Sequence, residues 1–421
     1  MVRHLAVAAA LAGAVLRPAH AQTPPVSASA VAPMPGSPIT VTLVTFGLGQ
    51  EVFERFGHNA LWFHDAATLQ DSAYQWGLFS FNDPGFLLRF LSGDTNYWMG
   101  AEDARLRVEW ERSRGRPVTL QRLNLTPAQG LKLREFVRWN ARDENKFYRY
   151  DYFGDNCSTR LRDALDGVLG GAIRRATDTV VTTTSYRRES VRLTDGDALV
   201  QAGIDVALGR PADVPLTRWQ SFFIPMRLRD AVRAIRVRDS TGATVPLVAE
   251  EQVVPLAPGT VPVPERLVAP NLTPRYALVG LLIASLVVVL RVMMLTRRSA
   301  AWGLALLGSA WSFLCGTLGV ILLLAWTATK HVFWAWNENL LLLTPLSLVL
   351  VMLIPAAVLS RRRERAARMI AAVIAGLSLV ALLLALLPGG QENLAIVAML
   401  LPVHLAIAWA LALPRAAAPA A

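Results

Sequence analysis

A cysteine and a histidine in the first half of the chain have the residue types that thiol catalysis requires. Cys157 lies in the run YDYFGDNCSTRLRDAL, and His58 lies in FGHNALWF. A cysteine attacks as the thiolate, and a helix N-terminus or a neighbouring imidazole is an established means of lowering a thiol pKa. Because Asn156 and Cys157 stand where a helix is predicted to start, the pattern predicts Cys157 as the nucleophile and His58 as its base.

A third polar group is expected to orient the imidazole, and three side chains qualify. Asp71, just before the predicted strand SAYQWGLF, and Gln75 within it occupy alternate positions, so both lie on one face. His64 is another candidate, and the residues alone do not choose among the three.

The start of the predicted helix also offers hydrogen-bond donors. The backbone N–H groups of Cys157, Ser158 and Thr159 are predicted to stabilise an oxyanion. Asn156 is predicted either to cap the helix or to line that hole. Arg160 and Arg162 follow on the helix, where a solvated or salt-bridged face is favoured over an anion site.

The surrounding pattern predicts an α+β domain with largely antiparallel strands. Val, Thr and Ile are frequent in Ile39 to Phe46, as is typical of a strand, and NALWFHD and SAYQWGLF read as two further strands. Thr126 and Gln129 form a capping-box pattern that opens a helix toward Trp139. The domain is predicted to span residues 39–245, with its core at 53–165 and further helices at 195–208 and 225–238.

The first residues predict export from the cytoplasm. Arg3 and His4 precede a short apolar run, and Ala19-His20-Ala21 offers a signal-peptidase site, so residues 1–21 read as a signal peptide. Residues 22–38 are rich in Pro, Ser and Ala and predict a flexible lead-in. Residues 246–276 contain recurring Pro and Val and predict a semi-extended tether.

The composition excludes several classes of partner and cofactor. The net charge is +11, but residues 22–276 hold 30 Lys and Arg against 28 Asp and Glu, so the excess follows membrane topology rather than a nucleic-acid partner. The second cysteine, Cys315, lies in an apolar segment, which leaves no disulfide framework and no zinc site. No cofactor or metal is predicted.

The last third of the chain predicts five transmembrane helices, at residues 277–413. Arg297, Arg298 and the five arginines from Arg361 to Arg368 lie on one side of these segments, and Arg415 follows the last. The positive-inside rule therefore places the tail at 414–421 in the cytoplasm and the α+β domain on the outer side of the membrane. The predicted spans are Ala277 to Leu295, Trp302 to Trp326, Leu340 to Leu359, Met369 to Leu387 and Leu394 to Leu413.

A second polar cluster is predicted on the outer side of the membrane. The run ATKHVFWAWNEN places His331, Asn337, Glu338 and Asn339 between the second and third spans, where they would bind lipid headgroups or a metal, or contact the α+β domain. Trp326, Trp334 and Trp336 in this region fit an aromatic belt. His404 in the last span fits a helix-packing hydrogen bond.

Two resemblances follow from these motifs. A histidine within a GH motif on a strand, a polar residue on the next strand and a late Asn-Cys at a helix start resemble the permuted NlpC/P60 and lecithin:retinol acyltransferase-like thiol enzymes, over about residues 53–165. FGHNALWF, YQWGLFSF, LNLT, YDYFGDNCSTRLRD and WNENLLLLTPL resemble the bacterial family with the Lnb-type N-terminal periplasmic domain. The first resemblance implies a permuted papain-like fold. The second implies an exported protein that is anchored in a bacterial inner membrane, with its N-terminal domain in the periplasm.

Two functions remain open on this basis. The first is a membrane-anchored thiol hydrolase or acyltransferase that acts on an envelope amide or ester, with lipids, lipoproteins or peptidoglycan peptides as substrates. The second is a non-catalytic envelope protein in which the membrane domain acts in binding, assembly or transport.

Overall fold

The computed structural model describes residues 39–413. The predicted signal peptide, the lead-in and the C-terminal tail lie outside these residues. By their contacts, the described residues divide into two units: a sheet unit of residues 39–181 and 217–264, and a helical unit of residues 182–216 and 265–413.

The sheet unit is built on seven strands in the order β6-β4-β3-β2-β1-β5-β9, and every neighbouring pair is antiparallel. The expectation of an α+β domain with an antiparallel sheet is confirmed. Two short strands, β7 and β8, form a separate ribbon. The strands are β1 Ile39–Phe46, β2 His58–Asp65, β3 Gln70–Leu78, β4 Asn96–Asp103, β5 Val118–Leu123, β6 Phe147–Arg149, β7 Arg236–Arg238, β8 Thr244–Pro246 and β9 Val248–Val254.

The helices of this unit cover both faces of the sheet. One face carries the larger apolar core, to which Leu61 of β2 and Leu161 of α4 contribute. The other face has a smaller core around Phe46 and Ala60, and α2 packs against β3 to β5 there. The helices are α1 Phe86–Ser92, α2 Ala104–Ser113, α3 Pro127–Asn140, α4 Cys157–Val168, α5 Ala172–Thr177, α8 Arg218–Ser221 and α9 Pro225–Val232, with a 3₁₀ turn at Val52–Glu54.

The predicted tether begins later than the proline and valine pattern indicated. Residues of the VAEEQVV run form β9, which pairs with β5 at the edge of the sheet. Valine at both ends of this run favours a strand, and Glu250 opposite Arg122 brings opposite charges together across the two strands. The predicted tether is therefore limited to the residues after β9.

The helical unit joins two parts of the chain that the sequence assigned to different domains. Residues 182–216 belong to this unit by contact, although they precede the last strands of the sheet. Their helices are α6 Tyr186–Leu193 and α7 Ala198–Ala207, and the later helices are α10 Thr273–Met293, α11 Arg298–Ala328, α12 Ser347–Ser360, α13 Glu364–Leu386 and α14 Leu394–Ala412. Short 3₁₀ turns lie at Arg210–Asp213, Val332–Trp334 and Glu338–Leu341.

Four of these helices are long and apolar enough to cross a membrane: α10, α11, α13 and α14. The third predicted span is shorter than expected, because Pro345 interrupts the apolar run and α12 starts only at Ser347. Its 14 residues cover about 21 Å at a rise of about 1.5 Å per residue, against a hydrocarbon core of about 30 Å.

Candidate thiol site

Cys157 is the first residue of α4, as the sequence predicted, and Asn156 is the N-cap. The Asn156 side-chain oxygen accepts hydrogen bonds from the backbone N–H groups of Ser158 and Thr159, both at 2.9 Å. Its amide nitrogen donates to the carbonyl oxygens of Tyr152 and Phe223. All the polar groups of the Asn156 side chain are thus engaged in holding the helix start.

This cap changes the expectation for an oxyanion hole. Because the N–H groups of Ser158 and Thr159 already donate to Asn156, they are not available to a substrate oxygen. The N–H of Cys157 itself remains, and the N–H of Asn59 also lies close enough to the thiol to lower its pKa. Asn59 is placed by a 3.1 Å hydrogen bond from its side-chain nitrogen to the Ser158 hydroxyl.

The Cys157 thiol is neutral at ordinary pH. Its side chain belongs to the larger core and is only 7% exposed. Burial raises the pKa of Cys157 to about 11, and the nearby backbone N–H groups and Arg116 offset only part of that rise. A helix start alone is therefore not enough to produce a thiolate here, because the loss of water outweighs the helix-end donors.

His58 is the first residue of β2, and Gln75 of β3 orients it. The His58 Nε2 atom lies 2.7 Å from the Gln75 side-chain oxygen. Since an amide oxygen only accepts hydrogen bonds, Nε2 carries the proton. The Nδ1 atom is then the basic nitrogen, and it has no hydrogen-bond partner among residues 39–413. This is the tautomer that a general base for a thiol requires.

The His58 imidazole is also neutral. Part of its surface reaches solvent, but burial by the surrounding protein removes most of the water around the ring and lowers the pKa of His58 to about 3. The charges of Arg107 and Arg116 lower this pKa further. The hydrogen bond to Gln75 opposes this shift. The ring also stacks on Phe46, with centroids 6.1 Å apart.

Glu102 of β4 is a site residue that the sequence interpretation missed. Its carboxylate accepts a short hydrogen bond from the Gln75 side-chain nitrogen, so the Gln75 oxygen must face His58. Arg107 lies 3.6 Å from the Glu102 carboxylate, and burial raises the pKa of Glu102. Glu102 lies two strands away from His58 in the sheet, and the pairing of β3 with β4 brings it to Gln75.

The other two candidates for the third group lie elsewhere on the sheet. Asp71 accepts from Trp62 Nε1 at 2.7 Å, contacts His64 Nδ1 at 2.9 Å and pairs with Arg105 at 2.7 Å. Burial raises the pKa of Asp71, but these three partners together lower it below the usual value. Asp71 and His64 therefore bind each other, and the structure brings neither to His58 by a hydrogen bond within residues 39–413.

The start of α4 comes close to the sheet at a bulge in β3. The pairing of β3 with β4 shifts register between Gln75 and Leu78, and Gly77 lies in this bulge with φ of +85°. A Cβ at Gly77 would lie 3.2 Å from Cys157 Cβ, so glycine is needed for α4 to come this close. In residues 39–413, no hydrogen bond joins the Cys157 sulfur to the His58 ring. The sulfur instead lies against the backbone of Asn59, the residue after His58.

An aromatic cluster connects the thiol to the surface. Tyr150 lies near Cys157, and its ring stacks on Tyr97 with centroids 4.4 Å apart. Tyr97 stacks on Phe79, and Phe79 contacts Phe53. At the outer end Phe53 and Phe81 are exposed, and α1, whose Phe86 contacts Phe81, carries the exposed Leu87, Leu88 and Leu91.

The two arginines of α4 contact other protein groups, in agreement with the expectation of a salt-bridged helix face rather than an anion site. Arg160 forms a two-point ion pair with Asp155 and lies over the Tyr148 ring. Arg162 donates to the Trp219 carbonyl oxygen and lies over its ring.

In the helical unit, Asn337 and Asn339 cap the end of α7. The Asn337 amide nitrogen donates to the carbonyl oxygens of Val206 and Ala207, at 2.9 and 3.0 Å, and Asn339 donates to Val206 at 3.0 Å. The last carbonyls of a helix have no partner within it, so these amides satisfy them. Both asparagines are buried and serve packing within this unit.

Glu338 and His331 occupy different surroundings. The Glu338 backbone N–H donates to the Gln391 side chain, and the Glu338 carboxylate accepts from the Gln391 N–H at 3.2 Å. The His331 ring stacks on Trp334, with centroids 4.1 Å apart. Asn337, Glu338 and Asn339 share one hydrogen-bond network that includes Gln391, and His331 lies near them along the chain.

The fold and the site together define an α+β domain with a cysteine at a helix start, joined to a bundle of apolar helices. Residues 33–188 match the Lnb N-terminal periplasmic domain, and residues 267–415 match the Lnb transmembrane domain. The chain therefore belongs to the family of membrane proteins with an Lnb-type periplasmic domain, as its motifs indicated. No curated protein and no solved structure shows a significant similarity to it.

Proposed function

We propose that this protein is a membrane-anchored periplasmic thiol hydrolase or acyltransferase. The observation that carries the proposal is the tautomer of His58. Gln75 holds the proton on Nε2, and Nδ1 remains available as a base beside the residue that contacts the Cys157 sulfur. Permuted thiol enzymes of the NlpC/P60 type require this combination, and we extend their papain-like fold to the sheet unit.

The proposed reaction starts from a neutral pair. The Cys157 proton moves to His58 Nδ1 as the sulfur attacks the carbonyl carbon of an ester or amide. The Cys157 and Asn59 N–H groups stabilise the oxyanion, and the bond to the leaving group breaks as His58 returns the proton to it. Water or an amine then attacks the acyl-cysteine, and His58 accepts its proton before the thiol is restored.

The surroundings of the thiol favour an apolar acyl group. The path from Tyr150 through Tyr97 and Phe79 is aromatic, and it ends at exposed leucines and phenylalanines. Among envelope substrates, lipids and lipoproteins have acyl chains that match such a surface, whereas peptidoglycan peptides do not. Gln75 is the orienting residue in this proposal, and Glu102 positions Gln75.

The membrane topology completes the proposal. We infer that α12 acts as the fifth span together with the four longer helices, and that the C-terminus is cytoplasmic. The arginines between α12 and α13 and those between α10 and α11 then face the cytoplasm. The sheet unit and the thiol lie on the periplasmic side.

The direct test is capture of the acyl-enzyme. The full chain in detergent is incubated with p-nitrophenyl butyrate or p-nitrophenyl decanoate, and the intact mass is followed. We expect an acyl adduct that hydroxylamine removes, mapped to Cys157 and formed faster with the longer ester.

Two variants control for the other thiol and for the fold. Cys157→Ala should abolish the adduct, and Cys315→Ala should form it at the rate of the unaltered protein. Absence of an adduct from folded protein, or an adduct that maps to Cys315, would contradict the proposal. Adding a primary amine separates transferase from hydrolase, because only a transferase diverts the acyl group into an amide.

One observation favours a non-catalytic alternative. Both members of the pair are neutral, and the sulfur is almost fully buried. In that case, the membrane domain would perform binding, assembly or transport. Full cellular function of Cys157→Ala, with loss of function in Glu338→Ala or His331→Ala, would establish this alternative.

A further inference from the structure

The helical unit contains a small polar cavity among its apolar helices. The cavity has a volume of about 10 Å³ and is lined by residues of four helices. Its polar side chains are Trp311 and Ser312 of α11, Ser347 at the start of α12 and His404 of α14. Leu350, Ala371, Ile374 and Ile407 complete the wall.

Two of the polar groups in this wall are buried and unpaired. The Trp311 indole N–H and the Ser347 hydroxyl have no hydrogen-bond partner within residues 39–413. Ser347 is only 2% exposed. A buried donor without a partner costs about 1–3 kcal/mol, and native proteins rarely leave such groups unsatisfied.

His404 beside the cavity has both ring nitrogens engaged, so it does not satisfy these groups. The Ser378 hydroxyl donates to the Ile374 carbonyl oxygen at 2.9 Å, so it must accept from His404 Nδ1, which lies 2.7 Å away. His404 Nε2 therefore carries no proton. It lies 3.8 Å from the Cys315 sulfur and accepts a hydrogen bond from the Cys315 S–H. Cys315, His404, Ser378 and the Ile374 carbonyl oxygen thus form a complete series of hydrogen bonds, and His404 has no nitrogen left for Trp311 or Ser347.

We propose that this cavity binds one water molecule, which accepts a hydrogen bond from Trp311 and exchanges one with Ser347. A cavity of this size corresponds to about one water, and a buried water needs two to four polar partners. Ser312, which is 3% exposed, is the third polar group. The water links α11 to the start of α12, beside the hydrogen bond that the Ser309 hydroxyl donates to the Val351 carbonyl oxygen.

The donor set selects water over other occupants. A metal cation is disfavoured because the indole N–H presents a positive edge and the site has no carboxylate. An anion is disfavoured because a charge within an apolar helix bundle is costly. A lipid chain is too large for about 10 Å³. The site is independent of the proposed thiol chemistry at Cys157.

Thermal unfolding of the full chain in detergent tests whether removing the Ser347 hydroxyl or the Trp311 indole lowers or raises Tm. With a bound water, Ser347→Ala and Trp311→Phe each lower Tm by about 2–4 °C, which corresponds to about one hydrogen bond. The double variant lowers Tm by less than the sum, because both changes release the same water. Ser309→Ala is the matched control, because its hydroxyl donates to the Val351 carbonyl in the same region and its loss should add independently to that of Ser347.

The opposite results overturn the proposal. If the two groups are unsatisfied, Ser347→Ala raises Tm or leaves it unchanged, since it removes an unpaired buried hydroxyl. Because Trp311→Phe also removes volume, a second measurement uses ¹⁵N-tryptophan labelling of the full chain. The resonance that Trp311→Phe deletes should show a cross-relaxation peak with water, and the absence of that peak rejects the bound water.

Discussion

The chain has two cysteines, and each has a histidine to compare with it: His404 contacts Cys315, and His58 is the base proposed for Cys157. The two histidines differ in whether a ring nitrogen is left without a hydrogen bond. At Cys315, the partner His404 uses Nδ1 toward Ser378 and Nε2 toward the thiol, so every hydrogen-bonding position is filled. At Cys157, His58 uses only Nε2, toward Gln75. A closed arrangement suits helix packing, whereas a base needs one open nitrogen to accept a proton.

The two regions also differ in their connection to solvent. Cys315 is 1% exposed within a cluster of aliphatic side chains. Cys157 is also buried, but an aromatic cluster runs from Tyr150 to exposed residues of α1. Burial alone therefore does not distinguish the two cysteines, whereas the hydrogen bonds of the two histidines do.

The largest expected effect is the loss of the base. His58→Ala should slow acyl-cysteine formation from p-nitrophenyl decanoate by roughly 10²–10⁴-fold, the usual contribution of a general base. Stopped-flow release of p-nitrophenol gives the rate. Cys315→Ala should leave this rate unchanged, and equal rates for His58→Ala and the unaltered protein would remove the distinction between the two thiols.

The next largest expected effect is the pH dependence of Cys157 alkylation. In the Cys315→Ala background, the rate of alkylation by iodoacetamide should rise about tenfold per pH unit and level off near pH 11, because burial raises the pKa of Cys157 to about 11. Between pH 8 and 11 the increase is roughly 10³-fold. A plateau that starts below pH 8 would mean a resting thiolate and a different role for His58.

The position of Gln75 should have a moderate effect on the same rate. Glu102→Gln lets the Gln75 amide turn its nitrogen toward His58 and should slow acyl transfer by roughly 10–100-fold, as misplacement of a catalytic group does. Gln75→Glu in the Glu102→Gln background restores a hydrogen-bond acceptor for His58 Nε2. Because both oxygens of a carboxylate accept hydrogen bonds, this acceptor does not depend on how the side chain is turned. It should recover most of the rate and shift the pH profile, a recovery that a purely structural role would not produce.

The smallest effect is on acid stability. His58 is protonated below about pH 6.5 in the unfolded chain but only near pH 3 in the fold. The unfolded state therefore binds more protons between these values, and the free energy of unfolding decreases as the pH falls from 6.5 to 3. His58→Gln should flatten this dependence of Tm, and His64→Gln serves as the control. An unchanged slope in His58→Gln would show that the imidazole is better solvated than its surroundings indicate.

Local patterns were enough to predict much of the site. The Asn156 cap, the start of α4 and the strand of His58 follow from neighbouring residues, since caps and strand alternation depend on the chain within a few positions. The choice of Gln75 over Asp71 did not follow, because both lie on one face of β3. Register with β2 brings Asp71 opposite His64, and the β3 bulge leaves Gln75 near His58.

The sequence by itself determined the apolar helices, the α+β class and the capped helix start at Cys157, because each depends on composition, periodicity or local capping. The tertiary structure decided the contact of Glu102 with Gln75, the neutral state of Cys157 and His58 and the grouping of residues 182–216 with the helical unit. These depend on strand pairing and desolvation, which arise only when residues distant along the chain are packed together.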